Sequence, residues 1–132
     1  MEGERDSIRR GDVYWTTYVF PHERGTASGE MGTEKQRPVL IVQNDEDNGH
    51  EFYPIVQAAP ITTQKTERIF GQDVLLLAGE ANLQQMSKVL LGLTQPFLKA
   101  RLSQKMGQVS SIKMREVDAK LLRLFGFVRK HR

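Results

Sequence analysis

The run Arg37-Pro38-Val39-Leu40-Ile41-Val42-Gln43 constrains the fold more than any other stretch of this chain. It is nearly all apolar and of strand length, so it reads as a strand buried on both faces. Proline lacks the donor that a central ladder requires, which puts Pro38 at the strand's start. Proline also holds the preceding residue in extended backbone, so Arg37 should point in a fixed direction at the mouth of the strand. A strand from Phe52 to Ile61 follows, and it runs into Ala58-Ala59-Pro60-Ile61-Thr62-Thr63-Gln64. Pro60 near its end implies an edge or a bulge.

Around these two strands the pattern is mostly β. Gly11 to Phe20 is aromatic and β-branched and reads as a strand. Residues 21–36 carry Pro21, Gly25, Gly29 and Gly32 among charges and read as a long mobile loop, a kind that is often functional. Asn44 to Gly49 is a turn, and Thr63 to Gly71 is a polar loop. Gln72 to Leu77 and Met86 to Leu93 are further strands, whereas Phe97–Lys105 is ambiguous, since Phe97, Leu98, Leu102 and Met106 could line one face of a helical turn. The last element is helical: Met114, Val117, Leu121 and Leu124 share one face, Ser110 or Ser111 caps its start, and Gly126 ends it. The sum is a mainly β chain, a small antiparallel barrel closed by a C-terminal helix.

A chain of 132 residues fits one domain, 1–132, with 1–7 and 128–132 as flexible tails. At this size about two-thirds of the unfolded surface becomes buried, enough for a core without staples. The absence of cysteine excludes disulfides, zinc–thiolate sites and a Cys nucleophile, and it suits a reducing compartment. No apolar run reaches a membrane span of about 20 residues. Met1–Asp6 is charged with both signs, so the reading is a soluble cytoplasmic chain without membrane contact. Charge is unevenly divided: residues 1–66 hold 7 basic and 11 acidic side chains, and residues 67–132 hold 12 and 5. Such a basic half serves either as a solvated helix face or as a polyanion-binding surface.

The chemistry the residues allow is narrow. His22, His50 and His131 are far apart, and the carboxylates cluster only at Asp45-Glu46-Asp47, in a turn, so nothing has metal-ligand spacing. No Gly-x-Ser-x-Gly elbow and no phosphate loop occurs. Arg37, Thr62, Thr63 and the Arg9–Asp12 turn are what is left. A guanidinium fork matches phosphoryl oxygens, and a threonine hydroxyl can donate to the same charge. Spacing alone favours plainer roles, a strand-end ion pair for Arg37 and an ordinary β residue at Thr62.

Three motifs add to that reading. Ile8-Arg9-Arg10-Gly11-Asp12-Val13-Tyr14-Trp15, Arg37-Pro38-Val39-Leu40-Ile41-Val42-Gln43-Asn44-Asp45 and Ala59-Pro60-Ile61-Thr62-Thr63-Gln64 closely resemble, in order and separation, the opening motifs of the MazF/PemK family. The Met114–Asp118 helix resembles that family's C-terminal helix, and the likeness spans about residues 8 to 127. The resemblance implies an SH3-like β-barrel of the CcdB/MazF kind. It implies the toxin of a type II toxin–antitoxin pair, working without a cofactor or metal. Such a toxin cleaves single-stranded RNA or mRNA to 2′,3′-cyclic phosphate and 5′-hydroxyl ends and so inhibits growth. Homodimerisation, a cognate acidic-tailed antitoxin, and DNA contacted through the antitoxin complex are implied as well. By motif, Arg37 takes the place of the catalytic arginine and Thr62 that of its hydroxyl partner. Arg10, Gly11, Asp12, Glu30, Gln36, Pro38, Asn44, Thr63 and Gln64 fall at substrate-binding positions, and the loop at 21–36 at the one that shapes specificity.

Two departures stand out. Gly29–Gln36 is about two residues longer than the family loop, and Gln95 and Pro96 stand where many members carry Arg and Thr. The missing arginine leaves an alternative open: a non-catalytic module on the same fold that binds nucleic acid or gyrase. A third reading makes the barrel a platform whose helix face docks another chain.

Overall fold

The computed structural model describes residues 7–18 and 35–129. Its order is β1 (Asp12–Tyr18), β2 (Lys35–Ile41), a short helix α1 (Asp45–Asn48), β3 (Ile55–Thr62), β4 (Asp73–Leu76), β5 (Ser87–Leu90), β6 (Gln95–Leu98), β7 (Lys105–Gln108) and the helix α2 (Ser111–Leu124). All strand pairs are antiparallel, and the strand order is β4-β5-β3-β2-β1-β7, with β6 also on β3. The expected antiparallel β fold closed by a C-terminal helix is therefore present, as a strongly curled sheet forming a half-barrel.

Strand β2 is central because both its faces are covered. Leu40 belongs to a core with Val13, Ile61, Val74, Val89 and Val117, onto which Met114, Leu121 and Leu124 of α2 pack. Its neighbours Val39 and Ile41 point the other way, into a second core with Tyr14, Tyr18, Val56 and Leu102. Alternation of side chains across a strand divides one apolar run between two cores.

Strand β3 forks. Its first half, Ile55–Ala58, pairs with β6, and its end, Ile61–Thr62, pairs with β5. Ala59 and Pro60 fall at the gap, where a residue without a ladder donor costs nothing on that side. Pro60 is thus buried at a strand branch, which is the physical content of the edge or bulge expected there.

Several local readings change. Arg37 is the third residue of β2, not its mouth, because Lys35 and Gln36 extend the strand by pairing with Tyr18 and Thr17. Of the expected loop at 21–36, residues 21–34 lie outside the described residues, as do Val19 and Phe20. Phe52 is 82% exposed in a turn, so β3 starts at Ile55. Asn44–Gly49 is a capped helical turn, with the Asn44 side chain accepting from the Asp47 amide. The strand expected over Met86–Leu93 ends at Leu90 and turns into a 3₁₀ segment, Leu91–Leu93. The helical turn expected over Phe97–Lys105 is instead the end of β6, a 3₁₀ turn at Lys99–Arg101 and the start of β7. Its apolar spacing was ambiguous at this length, and pairing with β3 and β1 decided it. The expected tails are described only at Ser7, Val128 and Arg129, all exposed.

Helix α2 begins where Ser110 caps the Lys113 amide, and Glu80 holds the Ser110 amide and hydroxyl at 3.0 and 2.9 Å. It ends as expected at Gly126, with φ +83° and a Phe127 amide bonded back to Leu122. Strand β7 approaches the turn at Glu80–Asn82 closely: a Cβ on Gly107 would lie 2.6 Å from the carbonyl carbon and oxygen of Ala81. Gly107→Ala should therefore cost about 1–3 kcal/mol by forcing backbone apart. Gly92→Ala, which would meet only the Gln72 side chain at 3.4 Å, should shift the melting temperature far less. Thermal unfolding of the two variants checks this difference.

Candidate functional site

The β2–β3 ladder pairs Ile41 with Ala58, Leu40 with Ala59 and Val39 with Pro60, and there it stops. The next rung would set Pro38 against Ile61, and Pro38 has no N–H to give. Carried one rung further, the same register sets Arg37 opposite Thr62, on one face of the two strands. Beyond the last rung β2 stays with β1 and β3 turns to β5, so the strands part. A cavity of about 810 Å³ opens in this fork, with Arg37 and Thr62 both in its lining.

Arg37 is 9% exposed, and its guanidinium lies 5.6 Å from the centre of the Tyr18 ring. That ring in turn meets Phe97 edge-on at 5.4 Å. A cation over an aromatic face is attracted by about 0.5–2 kcal/mol, and the stack limits where the planar group can swing. Thr62, the last residue of β3, is half-buried. Its Oγ1 accepts the Gln64 amide at 3.0 Å, which fixes the oxygen and leaves the hydroxyl proton to be donated. The arrangement offers a permanent cation and a hydroxyl donor on rigid strands, the elements needed to stabilise charge growing on a phosphoryl group.

Gln36, Pro38, Thr63 and Gln64 line the same cavity. The other candidates lie elsewhere. Arg10 and Asn44 border a different cavity, beside α1 and the end of α2. There the Arg10 guanidinium is bonded to the Val42 carbonyl at 2.7 Å and to Asp118 at 2.6 Å. Gly11 adopts φ +97° and ties Ile41 to Val109 through its own amide and carbonyl. Asp12 is 0% exposed, accepts the Arg9 amide at 2.9 Å and Gln108 Nε2 at 3.2 Å, and pairs with Lys105. Glu30 lies outside the described residues. Gln95 and Pro96 pair with Ala58 and Gln57 on the β6 branch of β3, away from the fork.

Sequence reasoning missed much of the lining. Trp15 and Lys35 come from β1 and β2, Asn82, Gln84 and Gln85 from the segment between β4 and β5, and Ser87 from the start of β5. The one signal for the latter was an unbroken polar pair, Gln84-Gln85, beside the amide of Asn82. Lys35 and Arg37 make the lining cationic, and no carboxylate is among its described residues. Among the described residues no three His, Asp or Glu side chains converge as a metal site would require. No described helix is long and apolar enough to cross a membrane.

The family model for PemK-like, MazF-like toxins of type II toxin–antitoxin systems matches residues 9–125. The fold is also similar to solved structures. A mycobacterial endoribonuclease in complex with its cognate antitoxin is 20% identical, with 93% of this chain and 99% of that one covered at a TM-score of 0.71. The MazE–MazF structure (Form-II) from Deinococcus radiodurans is 20% identical, with 94% and 100% covered at 0.69. The Mycobacterium tuberculosis toxin MazF-mt6 is 22% identical, with 85% and 95% covered at 0.62.

Burial separates a structural Asp12 from the fork. Asp12→Ala should lower stability by about 1–3 kcal/mol through the donors it strands. It should leave anion binding by the folded fraction unchanged. Denaturant unfolding, set beside titration of the single tryptophan's emission with an oligonucleotide, checks both halves; Trp15 is the only tryptophan and lies in the cavity wall.

Proposed function

The chain belongs to the PemK-like, MazF-like toxins of type II toxin–antitoxin systems, and we propose that it is a metal-independent endoribonuclease acting on single-stranded RNA at the β2–β3 fork. The observation that carries this reading is that Arg37 of β2 and Thr62 of β3 both line one cationic cavity, opened where the two strands stop pairing. Solved proteins of the same fold that are described as endoribonucleases support it.

The reaction follows from what the two groups can do. The 2′-hydroxyl gives its proton to solvent as its oxygen bonds to phosphorus; the P–O5′ bond breaks, and the 5′-oxygen takes a proton from solvent as it leaves. The products are a 2′,3′-cyclic phosphate and a 5′-hydroxyl. Negative charge builds on the non-bridging oxygens in between. Arg37 meets it with a fork of N–H donors, and the Thr62 hydroxyl adds one more. Because both sit on paired strands, little reorganisation is needed when the charge forms. Tyr18 acts through Arg37, as a positioning residue.

The same reading includes a homodimer, a cytoplasmic setting and a cognate antitoxin whose acidic segment neutralises the cationic fork. DNA is contacted only through that complex. Thr63, Gln64, Gln36 and Pro38 contact the substrate around the scissile phosphate.

Purified protein should cleave single-stranded RNA in EDTA and leave cyclic-phosphate and 5′-hydroxyl ends. Arg37→Ala should lower kcat/KM by about 10²-fold or more, and Thr62→Val by a smaller factor that Thr62→Ser restores. Arg115→Ala, on the exposed side of α2, should change neither. Activity lost on chelation with the fold intact, or RNA bound without cyclic-phosphate product, sinks the proposal. Tyr18→Leu should lower kcat with little change in KM, whereas Tyr18→Phe, which keeps the ring, should retain most of the rate.

A further inference from the structure

We infer that the turn carrying Asn82, Gln84 and Gln85 is a base-reading wall of the fork, so that sequence preference is set there, apart from the phosphate-handling pair Arg37 and Thr62. The inference rests on the reading of the fork as an RNA site and names how that site chooses among RNAs.

Three observations carry it. First, the lining groups its carboxamides apart from most of its charge. Both cations come from β2, at Lys35 and Arg37; Gln36 and Gln64 contribute one carboxamide each, and the turn contributes three, Asn82, Gln84 and Gln85. A carboxamide presents donors and an acceptor together, the pattern needed to match the edge of an unpaired base, and carries no charge to attract phosphate indiscriminately. Trp15 adds a half-buried aromatic face to the same cavity, a surface on which a base can stack.

Second, the wall is pinned. Leu83 exchanges backbone bonds with Gly79 and Glu80, both at 2.8 Å, and Asn82 Nδ2 donates to the Met106 carbonyl at 2.9 Å. Glu80 grips the cap of α2, and Gly107 sits against the Ala81 carbonyl. Ala81 and Asn82 hold left-handed backbone, with φ +50° and +63°. Such conformations cost energy in non-glycine residues and persist where their surroundings over-determine them. A site that reads hydrogen-bond patterns needs this rigidity, because a loose amide matches every base equally.

Third, the reading groups are unspent. Gln84 and Gln85 are exposed, and neither carboxamide hydrogen-bonds another described residue. Asn82 uses Nδ2 to anchor the turn and retains Oδ1 as an acceptor. The structure gives the Gln84 and Gln85 carboxamides no folding task, yet places them beside a pinned turn in the lining of a cationic cavity.

The test separates this inference from the cleavage proposal by using RNA that cannot react. Short single-stranded oligonucleotides carrying 2′-O-methyl groups lack the attacking hydroxyl, so their binding is read without turnover, through Trp15 emission. A set varied at one position at a time gives the spread of affinities for the wild-type chain. Gln84→Ala, Gln85→Ala and the double variant should each narrow that spread at one or two positions by about 5-fold or more. The slope of log affinity against log salt should stay unchanged, because no phosphate contact is lost. Melting should be unaltered, since both side chains are exposed. Two results overturn the inference: a wild-type chain that binds all the oligonucleotides equally, or variants that weaken every oligonucleotide by one common factor. Base-selective binding with no cleavage of unmodified RNA would support the wall and reject the nuclease.

Discussion

The end of the β2–β3 ladder at Val39 and Pro60 is the constraint on which the rest of the structure depends. Two prolines flank it: Pro38 removes the backbone donor that the next rung would need, and the missing donor of Pro60 falls on the other side, where β3 changes partner from β6 to β5. The strands therefore separate and take different partners, β1 for one and β5 for the other. A sheet that pairs fully presents a flat surface. One that forks presents two walls, and here one wall carries a cation, Arg37, and the other a hydroxyl, Thr62. The cavity is thus a consequence of missing hydrogen bonds, and the same prolines that make it also stiffen the residues beside it.

A buried guanidinium needs compensation, and the fork supplies it through the Tyr18 ring, itself braced by Phe97. Phe97 lies on β6, next to Gln95 and Pro96. Those two residues do not line the fork. Packing links that segment to Arg37, through the contact of Phe97 with the Tyr18 ring.

Much of the fold was legible in the chain. The apolar run of β2 announced burial on both faces, and the two cores that share it show why no polar residue interrupts Val39–Ile41. The spacing of Met114, Val117, Leu121 and Leu124 announced α2, with Ser110 and Gly126 at its ends. Segments of four or five residues were less readable. The stretch from Phe97 to Lys105 carries helix-like spacing and forms strands and a 3₁₀ turn, because at that length pairing partners outweigh local pattern. Lys35 and Gln36, polar and next to glycine-rich sequence, are strand for the same reason.

Sequence by itself determined the chemical inventory and its main rigid pieces: no cysteine, a strand running through Arg37 and Pro38, and a hydroxyl at Thr62 following another proline. Those are properties of single segments, set by side-chain chemistry and by the φ restriction of proline. Only tertiary structure decided which of the polar residues share a space. It brought Asn82, Gln84 and Gln85 to the fork, and it sent Arg10 and Asn44 to another cavity and Asp12 into the core. The physical reason is register: which residues face one another follows from the rung at which two distant strands stop pairing, and no segment carries that information alone.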